Sequence, residues 1–229
     1  MIKTILWDFD NTLLDFDMAE KNAITATFKL MGFGDLTSKM LKKYIKINKS
    51  YWRKIEKKQI DKETALVKRY EDFFSELGID SKYAFEFNKK YEVALGDTII
   101  YIDNSYEIVK SLNKNYNQYI VSNGALYVQK LRLRKSKFDE LFEKVFISDE
   151  IGAEKPNIEF FDFVFKNIKF DDKSEIMIVG DSLTSDIRGG NNAGILTCWY
   201  NRKNVNAPNN YKINYNINNL TEIYKILQP

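Results

Sequence analysis

Carboxylates, one hydroxyl and one lysine follow the predicted strands of this chain, at the points where those strands end. The first strand is the apolar run IKTILW at 2–7, and Asp8 and Asp10 follow it with one residue between them. An acidic surface turn would explain one aspartate, but two at one place repel each other and call for a compensating charge. Comparable residues after later predicted strands are Ser122, Lys155, Asp181 and Asp186.

These residue types together suit phosphoryl transfer assisted by a divalent cation. Asp8 and Asp181 could share Mg²⁺, which needs one or two protein carboxylates and leaves room for water and substrate phosphate. Ser122 and the amides near Asn123 could hold phosphate oxygens, and Lys155 could neutralise charge on the phosphoryl group. The candidate phosphate-binding residues are Thr12, Ser122, Asn123 and Lys155.

Asp8 and Asp10 are predicted to do different work. Asp8, at the strand end, would be the nucleophile that forms an aspartyl-phosphate. Asp10, two residues later, could donate a proton to the leaving oxygen and then activate water. The chain contains no histidine. Serine–histidine and cysteine–histidine catalysis and most zinc sites are therefore excluded, and oxygen ligands are expected for any metal.

The bulk composition narrows the remaining classes. The net charge of +3, from 35 basic and 32 acidic residues, is too balanced to indicate a nucleic-acid-binding protein. Cys198 is the single cysteine, so no intrachain disulfide is possible and a reducing compartment is expected. No apolar run approaches the roughly 20 residues of a membrane span, and MIKTILWDF is too short for a signal peptide. We expect a cytoplasmic protein without a membrane partner.

The elements that position these residues alternate between strand and helix after Gly96, which predicts an α/β fold with a doubly wound parallel sheet of Rossmann-like form. Ligands bind at the carboxyl ends of the strands in such sheets. A last strand and helix are predicted near 213–228. Predicted strands are 2–7, 118–122, 144–148, 175–180 and 195–200, and predicted helices are 104–113, 124–135, 158–168 and 184–193.

The segment 17–96 interrupts this alternation with helical periodicity alone. Leu66, Tyr70, Phe73 and Leu77 recur at helical spacing, and Gly78 follows them as a helix end. We expect about four helices inserted as a separate unit. The predicted domains are therefore a catalytic core at 1–16 and 97–229 and an all-helical cap at 17–96.

Four motifs, DFDNT, VSNG, EKPN and GDSLTSD, occur in this order after the predicted strands and resemble those of the haloacid-dehalogenase superfamily. The resemblance spans nearly the whole chain, with the helical block similar to the family's cap. It implies that Asp8 is the nucleophile, that Asp10 is the acid/base and that Ser122 and Lys155 bind phosphate. It also implies Mg²⁺ on Asp8, the carbonyl of Asp10 and Asp181, with Asp186 as a ligand or its neighbour. Asn11 departs from the family, where many members have glycine.

An acid at the position of Asp10 separates phosphatases in this superfamily from dehalogenases and phosphonatases, so the resemblance implies a phosphate ester substrate. The chain is further similar to bacterial pyrimidine 5′-nucleotidases of the housecleaning type in the segment 185–201, in DNTLLDFD, VSNG and IGAEKPN, and in NKSYW (48–52) of the cap. That similarity implies a small phosphorylated metabolite, a nucleoside 5′-monophosphate above all. Open alternatives are a phosphosugar mutase or sugar-phosphate phosphatase on the same motifs, and a non-catalytic binding protein on this scaffold.

The cap contributes three candidates for substrate selection, all in the basic stretch 39–62. Trp52 could stack on a nucleobase. The interleaved basic and aromatic residues also resemble a single-strand nucleic-acid surface. A solvated basic helix face is the preferred interpretation, so nucleic acid is not an expected partner. The candidates are Asn48, Lys49 and Trp52.

Overall fold

The structure is a computed structural model that describes residues 1–227. Its strands form one sheet in which every neighbouring pair is parallel, in the order β3-β2-β1-β4-β5-β6. The predicted α/β class with a parallel sheet is confirmed. The strands are β1 (Thr4–Trp7), β2 (Asn117–Ser122), β3 (Lys144–Ile147), β4 (Ile176–Gly180), β5 (Leu196–Tyr200) and β6 (Tyr215–Ile217).

The strand order reverses at β1, which pairs with β2 on one side and β4 on the other. Trp7 lies opposite Ile120 of β2 and Val179 of β4, so the three strands end at nearly the same level. In doubly wound sheets the crevice at such a switch point is the usual ligand site. The residues that follow β1, β2 and β4 are therefore brought to one place.

Both faces of the sheet are covered, as the apolar character of the central strands requires. Alternate residues of β1 point to opposite faces: Ile5 and Trp7 join one buried cluster, and Leu6 joins the other. The helices are α1 (Phe16–Leu30), α2 (Ser38–Glu56), α3 (Lys62–Ser75), α4 (Ala84–Asp97), α5 (Ser105–Leu112), α6 (Leu126–Lys135), α7 (Ser148–Ile151), α8 (Ile158–Asn167), α9 (Arg188–Ala193) and α10 (Ile223–Leu227).

Two compact units make up the chain: residues 1–16 with 99–229, and residues 17–98. The sheet and the helices α5 to α10 belong to the first unit. The second unit contains α2, α3, α4 and nearly all of α1. Its core is aromatic, with stacked Tyr44 and Tyr70 rings 5.6 Å apart and Phe87 packed against Tyr70 at 4.8 Å.

Side-chain caps begin two helices of the second unit. Thr37 accepts a hydrogen bond from the backbone N–H of Met40 before α2, and Asp61 accepts one from Thr64 before α3. Such caps satisfy backbone donors that the helix itself leaves free. No helix in the described residues has the length and apolar character needed to cross a bilayer.

One predicted helix differs in detail. The predicted helix 184–193 is a π-helical turn, Leu183–Ile187, followed by the short α9. At the carboxyl end, β6 and α10 form the predicted strand and helix, and the last predicted residue, 228, lies outside the described residues.

Candidate active site

Asp8 occupies the first position after β1, at the switch point of the sheet. Its backbone N–H still donates to the carbonyl of Val179 (2.9 Å), so the backbone of Asp8 continues the strand pairing. The side chain is buried, with 7% of the residue exposed. Each carboxylate oxygen accepts one hydrogen bond: Oδ1 from Lys155 Nζ (2.8 Å) and Oδ2 from Thr12 Oγ1 (2.9 Å).

A tight turn follows Asp8 and carries Asp10. Asn11 adopts a left-handed conformation with φ of 63°, and its N–H donates to the carbonyl of Leu14 (2.7 Å). Asparagine is one of the few residues besides glycine that visits this region at low cost. The turn can therefore form with Asn11, although many members of the family have glycine at this position.

Lys155 is the cation at the centre of the buried carboxylates. Its side chain is 1% exposed, and its ammonium group donates three hydrogen bonds: to Asp8 Oδ1 (2.8 Å), Asp186 Oδ1 (2.7 Å) and the carbonyl of Val121 (2.7 Å). An ammonium has three N–H donors, so all of them are used. Burial opposes the charge of Lys155, but Asp186 and Asp8 outweigh burial and raise its pKa above the ordinary value.

Asn123 fixes the backbone of Lys155. Its side-chain Nδ2 donates to the Lys155 carbonyl (2.8 Å), and its Oδ1 accepts the Lys155 N–H (2.9 Å). This reciprocal pair joins the loop after β2 to the loop between α7 and α8. The contacts of the Asn123 amide thus fix the backbone position of Lys155. Phosphate binding by Asn123 stays a prediction.

Asp186 reaches the site because the chain forms a π-helical turn after β4. The N–H groups of Asp186 and Ile187 both donate to the Ser182 carbonyl, at 3.0 and 3.1 Å, and the Asp186 carboxylate accepts the Ser182 N–H at 3.0 Å. The carboxylate then lies directly against Gly180, where an added Cβ would stand 2.6 Å from Asp186 Cβ. Only glycine at 180 leaves room for it.

Asp8, Asp181 and Asp186 each direct a carboxylate oxygen to one place, with the oxygens within 4.8 Å of one another. Thr12 links two of these residues, because its Oγ1 donates to Asp8 and accepts the N–H of Asp181 (3.1 Å). Three carboxylate oxygens are hard ligands of the kind that divalent cations such as Mg²⁺ prefer. The donor set therefore fits a divalent metal.

The charge balance supports the same conclusion. Burial, and next the neighbouring Asp186, raise the pKa of Asp8 to about 7, although Lys155 opposes both. The single positive charge of Lys155 therefore does not balance the negative charges of Asp8 and Asp186. A divalent cation would relieve the excess and keep Asp8 ionised as a nucleophile.

Asp10 is held by two residues of α6 that sequence reasoning missed. Arg132 Nη1 donates to Asp10 Oδ1, and Gln129 Nε2 donates to Asp10 Oδ2 (2.9 Å). Both polar side chains are buried, with Arg132 at 0% and Gln129 at 1% exposure. The available signal was their spacing: two long polar residues three positions apart lie on one helix face, the face that also buries Val128 and Leu133.

Ser122 ends β2 and lies next to this pair. Its Oγ accepts Gln129 Nε2 (2.6 Å) and the N–H of Gly124 (3.1 Å). Both acceptor positions of the hydroxyl are then filled, so its O–H remains to donate. A phosphate oxygen is a suitable acceptor, in line with the predicted role of Ser122.

The three cap candidates lie on α2 in different surroundings. Asn48 is buried, donating to Glu20 Oε1 (2.6 Å) and accepting from Arg69 Nη1 (2.8 Å). Lys49 is exposed, and Trp52 is partly buried against the cluster that includes Ile55. Asn48 therefore bridges an acid and a base inside the second unit. Substrate selection by Asn48, Lys49 and Trp52 remains a prediction.

Comparison with known proteins gives consistent results. The model of the haloacid dehalogenase-like hydrolase family matches residues 5–200. YfnB of Bacillus subtilis is 34% identical over 98% of this chain and 95% of its own length. Pyrimidine 5′-nucleotidase PynA of Streptococcus pneumoniae is 35% identical over 87% of this chain and 84% of its own. Pyrimidine 5′-nucleotidase YjjG of Escherichia coli is 26% identical over 97% and 96%.

The fold comparison agrees with the sequence comparison. A crystal structure of YfnB bound to magnesium superposes with a TM-score of 0.93 at 33% identity, covering 100% of this chain and 99% of that one. The similarity therefore extends through both compact units and is not confined to the sheet.

Proposed function

Because the chain belongs to the haloacid dehalogenase-like hydrolase family and is a phosphomonoesterase of that family, we propose that it hydrolyses nucleoside 5′-monophosphates, pyrimidine ones above all, with Mg²⁺ as the metal. The single observation that carries the chemistry is the position of Asp8. Its carboxylate stands at the switch point of the sheet, buried against Lys155 and beside Asp181 and Asp186.

The proposed first step is attack by an Asp8 carboxylate oxygen on the phosphorus of the ester. A phosphorus–oxygen bond to Asp8 forms, and the bond to the substrate's leaving oxygen breaks. Asp10 gives that oxygen a proton. The phosphate oxygens receive hydrogen bonds from the Ser122 hydroxyl and charge stabilisation from Lys155.

Water completes the cycle in the second step. Asp10, now a carboxylate, takes a proton from the water that attacks the aspartyl-phosphate, and inorganic phosphate leaves while Asp8 is regenerated. A divalent cation bound by Asp8, Asp181 and Asp186 would neutralise charge on the phosphoryl oxygens.

The substrate class is supported by the relatives. Both PynA, at 35% identity, and YjjG, at 26%, carry the name pyrimidine 5′-nucleotidase. The contacts that would recognise the base are proposed to come from the helical cap, with Trp52 as the stacking candidate. An aromatic ring stacks on a base with little dependence on its identity.

The test is phosphate release from a panel of esters with Mg²⁺ and with a chelator. The panel holds pyrimidine and purine 5′-monophosphates, hexose 1- and 6-phosphates and 4-nitrophenyl phosphate. We expect the highest kcat/KM for a pyrimidine nucleotide and loss of activity on chelation. The exposed Asp139→Asn is the matched control for Asp8→Asn, which should lose turnover by more than about 10³-fold while remaining folded.

Three outcomes would contradict the proposal. Unchanged phosphate release from Asp8→Asn would remove the aspartyl-phosphate mechanism. A preference for a sugar phosphate would leave the mechanism intact and replace the substrate, and conversion of a hexose 1-phosphate into its isomer would identify a mutase.

A further inference from the structure

We propose that Arg132 and Gln129 are positioning residues that hold the Asp10 carboxylate in the orientation required for proton transfer to the leaving oxygen. The inference rests on the proposed function, because it concerns the acid/base of that reaction. It adds two residues of α6 that none of the four motifs contains.

The contacts grip both oxygens of one carboxylate. Arg132 donates to Oδ1 of Asp10, and Gln129 donates to Oδ2 at 2.9 Å. A carboxylate held at one oxygen can still turn about its own axis, whereas one held at both has its plane defined. The Asp10 side chain is 23% exposed, so these contacts hold both of its oxygens without enclosing it.

The guanidinium group of Arg132 is buried beside two aromatic rings. Its guanidinium carbon lies 5.3 Å from the centroid of the Phe9 ring and 5.6 Å from that of Phe16. Within the described part of the chain, its Nε and Nη2 have no hydrogen-bond partner although both are buried. Buried donors without partners are costly. Since these two donors are left unpaired, the bond from Arg132 to Asp10 is the contact that accounts for burying the charge of this guanidinium.

Gln129 connects Asp10 to the proposed phosphate site. The same Nε2 that donates to Asp10 lies 2.6 Å from Ser122 Oγ, and Gln129 Oε1 lies 3.5 Å from Arg132 Nη1. The two hydrogens of one amide thus tie the acid/base to the hydroxyl that would contact phosphate. The Gln129 amide is rigid and is carried by α6, so it sets the distance between the Asp10 carboxylate and the Ser122 hydroxyl.

Gly124 of the VSNG motif is explained by the same arrangement. A Cβ at this position would stand 2.5 Å from the carboxamide carbon of Gln129, which is well inside van der Waals contact. The motif glycine therefore makes room for the Gln129 side chain, whose path to Asp10 and Ser122 passes over it. The space left by Gly124 is therefore a second reason, besides its hydrogen bonds, that the Gln129 side chain takes this position.

A purely structural role makes a different kinetic prediction from a positioning role. Proton donation matters for an alkoxide leaving group and matters little for an acidic phenol, which departs without a proton. Loss of correct Asp10 orientation should therefore slow the release of a nucleoside from its 5′-phosphate much more than the release of 4-nitrophenol from its phosphate. A general loss of fold or of phosphate binding would slow both equally.

The experiment measures single-turnover release of the leaving group from uridine 5′-monophosphate and from 4-nitrophenyl phosphate, with saturating Mg²⁺. The variants are Arg132→Met, Arg132→Lys, Arg132→Ala and Gln129→Met. The matched control is Arg134→Met, an exposed arginine on the same helix. Thermal denaturation of each variant establishes that it is folded.

We expect Arg132→Met to lose about 10–100-fold on the nucleotide and less than about 3-fold on the aryl ester, a part of the 10²–10⁴-fold that a general acid contributes. Arg132→Lys should fall between wild type and Arg132→Met, because an ammonium keeps the charge without the planar fork. Gln129→Met should shift the ratio of the two rates in the same direction. Added guanidinium ion should restore nucleotide turnover to Arg132→Ala.

Equal losses on the two esters in folded Arg132 and Gln129 variants, with an active wild type, would overturn the positioning role and leave the proposed function standing. A wild-type protein that releases phosphate from neither ester would overturn the proposed function itself, and the positioning role with it. A changed ratio in Arg134→Met would also overturn the inference, because the effect would then belong to the helix and not to Arg132.

Discussion

Lys155 Nζ lies 2.8 Å from Asp8 Oδ1, although the two residues are 147 positions apart in the chain. The same ammonium lies 2.7 Å from Asp186, so one buried cation serves two acids. The predicted nucleophile is therefore paired before any phosphate arrives. Substrate phosphate would join an existing charge network at Asp8 and Lys155.

Lys155→Met should destabilise the protein in the absence of metal. Removal of the cation leaves Asp8 and Asp186 buried without their shared partner, a change that costs about 3–5 kcal/mol when one member of a buried ion pair is removed. Urea denaturation in the presence of a chelator measures this loss. The control, Lys130→Met, breaks an exposed pair with Glu150 and should change the unfolding free energy by less than about 1 kcal/mol. Equal effects of the two substitutions would contradict the central role of Lys155.

Asp10→Asn should reduce hydrolysis of an alkyl phosphate by about 10²–10⁴-fold, because an amide cannot carry the proton to the leaving oxygen. The loss should appear in kcat, with KM changed little, since Asp10 acts on the reacting atoms and not on ground-state binding. Steady-state kinetics on a nucleoside 5′-monophosphate measures both constants. Near-normal kcat in the variant would remove Asp10 as the acid/base.

Gly180→Ala should weaken metal binding, because the new methyl group would displace the Asp186 carboxylate. Overpacking at such a position costs about 1–3 kcal/mol of stability. The measurement is the Mg²⁺ concentration that gives half-maximal activity, which should rise. Gly78→Ala is the comparison: its φ of 69° strains an alanine by about 1–2 kcal/mol, but an added Cβ there meets nothing within 4 Å. The Mg²⁺ dependence of Gly78→Ala should equal that of the wild type.

Glu20 gives the second unit a pH-dependent stability. Burial raises its pKa from 4.5 to about 7, and Arg69 opposes the rise. Between these two values the folded chain binds more protons than the unfolded chain, so this group makes the free energy of unfolding fall as the pH rises. In Glu20→Gln that contribution is absent. The stability of the wild type relative to the variant should fall by on the order of 2–3 kcal/mol from pH 4.5 to pH 7.5.

Urea denaturation across that pH range measures the difference for Glu20. Other titrating groups, such as Asp8, are present in both proteins and cancel in the comparison. Glu63→Gln, an exposed acid at the start of α3, should remain within about 0.5 kcal/mol of the wild type throughout. A wild-type-to-Glu20→Gln difference that stays constant with pH would contradict the prediction.

The sequence by itself determined the parallel α/β class and most strand positions, and it predicted the helical insertion. Its local signals were sufficient, because each buried strand is a short apolar run and the candidate catalytic residues follow these runs directly. Asp8, Asp181 and Asp186 were placed at one sheet edge by the rule that parallel strands end together. The structure brings their carboxylate oxygens within 4.8 Å of one another.

Only the tertiary structure decided which partner each of these side chains has. The spacing of Gln129 and Arg132 puts both on one face of α6, but it does not show that they reach Asp10, since helix periodicity reports a buried face and not what lies against it. The same holds for Asn48, which is buried between Glu20 and Arg69, while its role in substrate selection stays a prediction. The physical reason is that backbone periodicity is set by neighbours in sequence, whereas the pairing of a buried polar group is set by whatever distant donor or acceptor the packed chain places beside it.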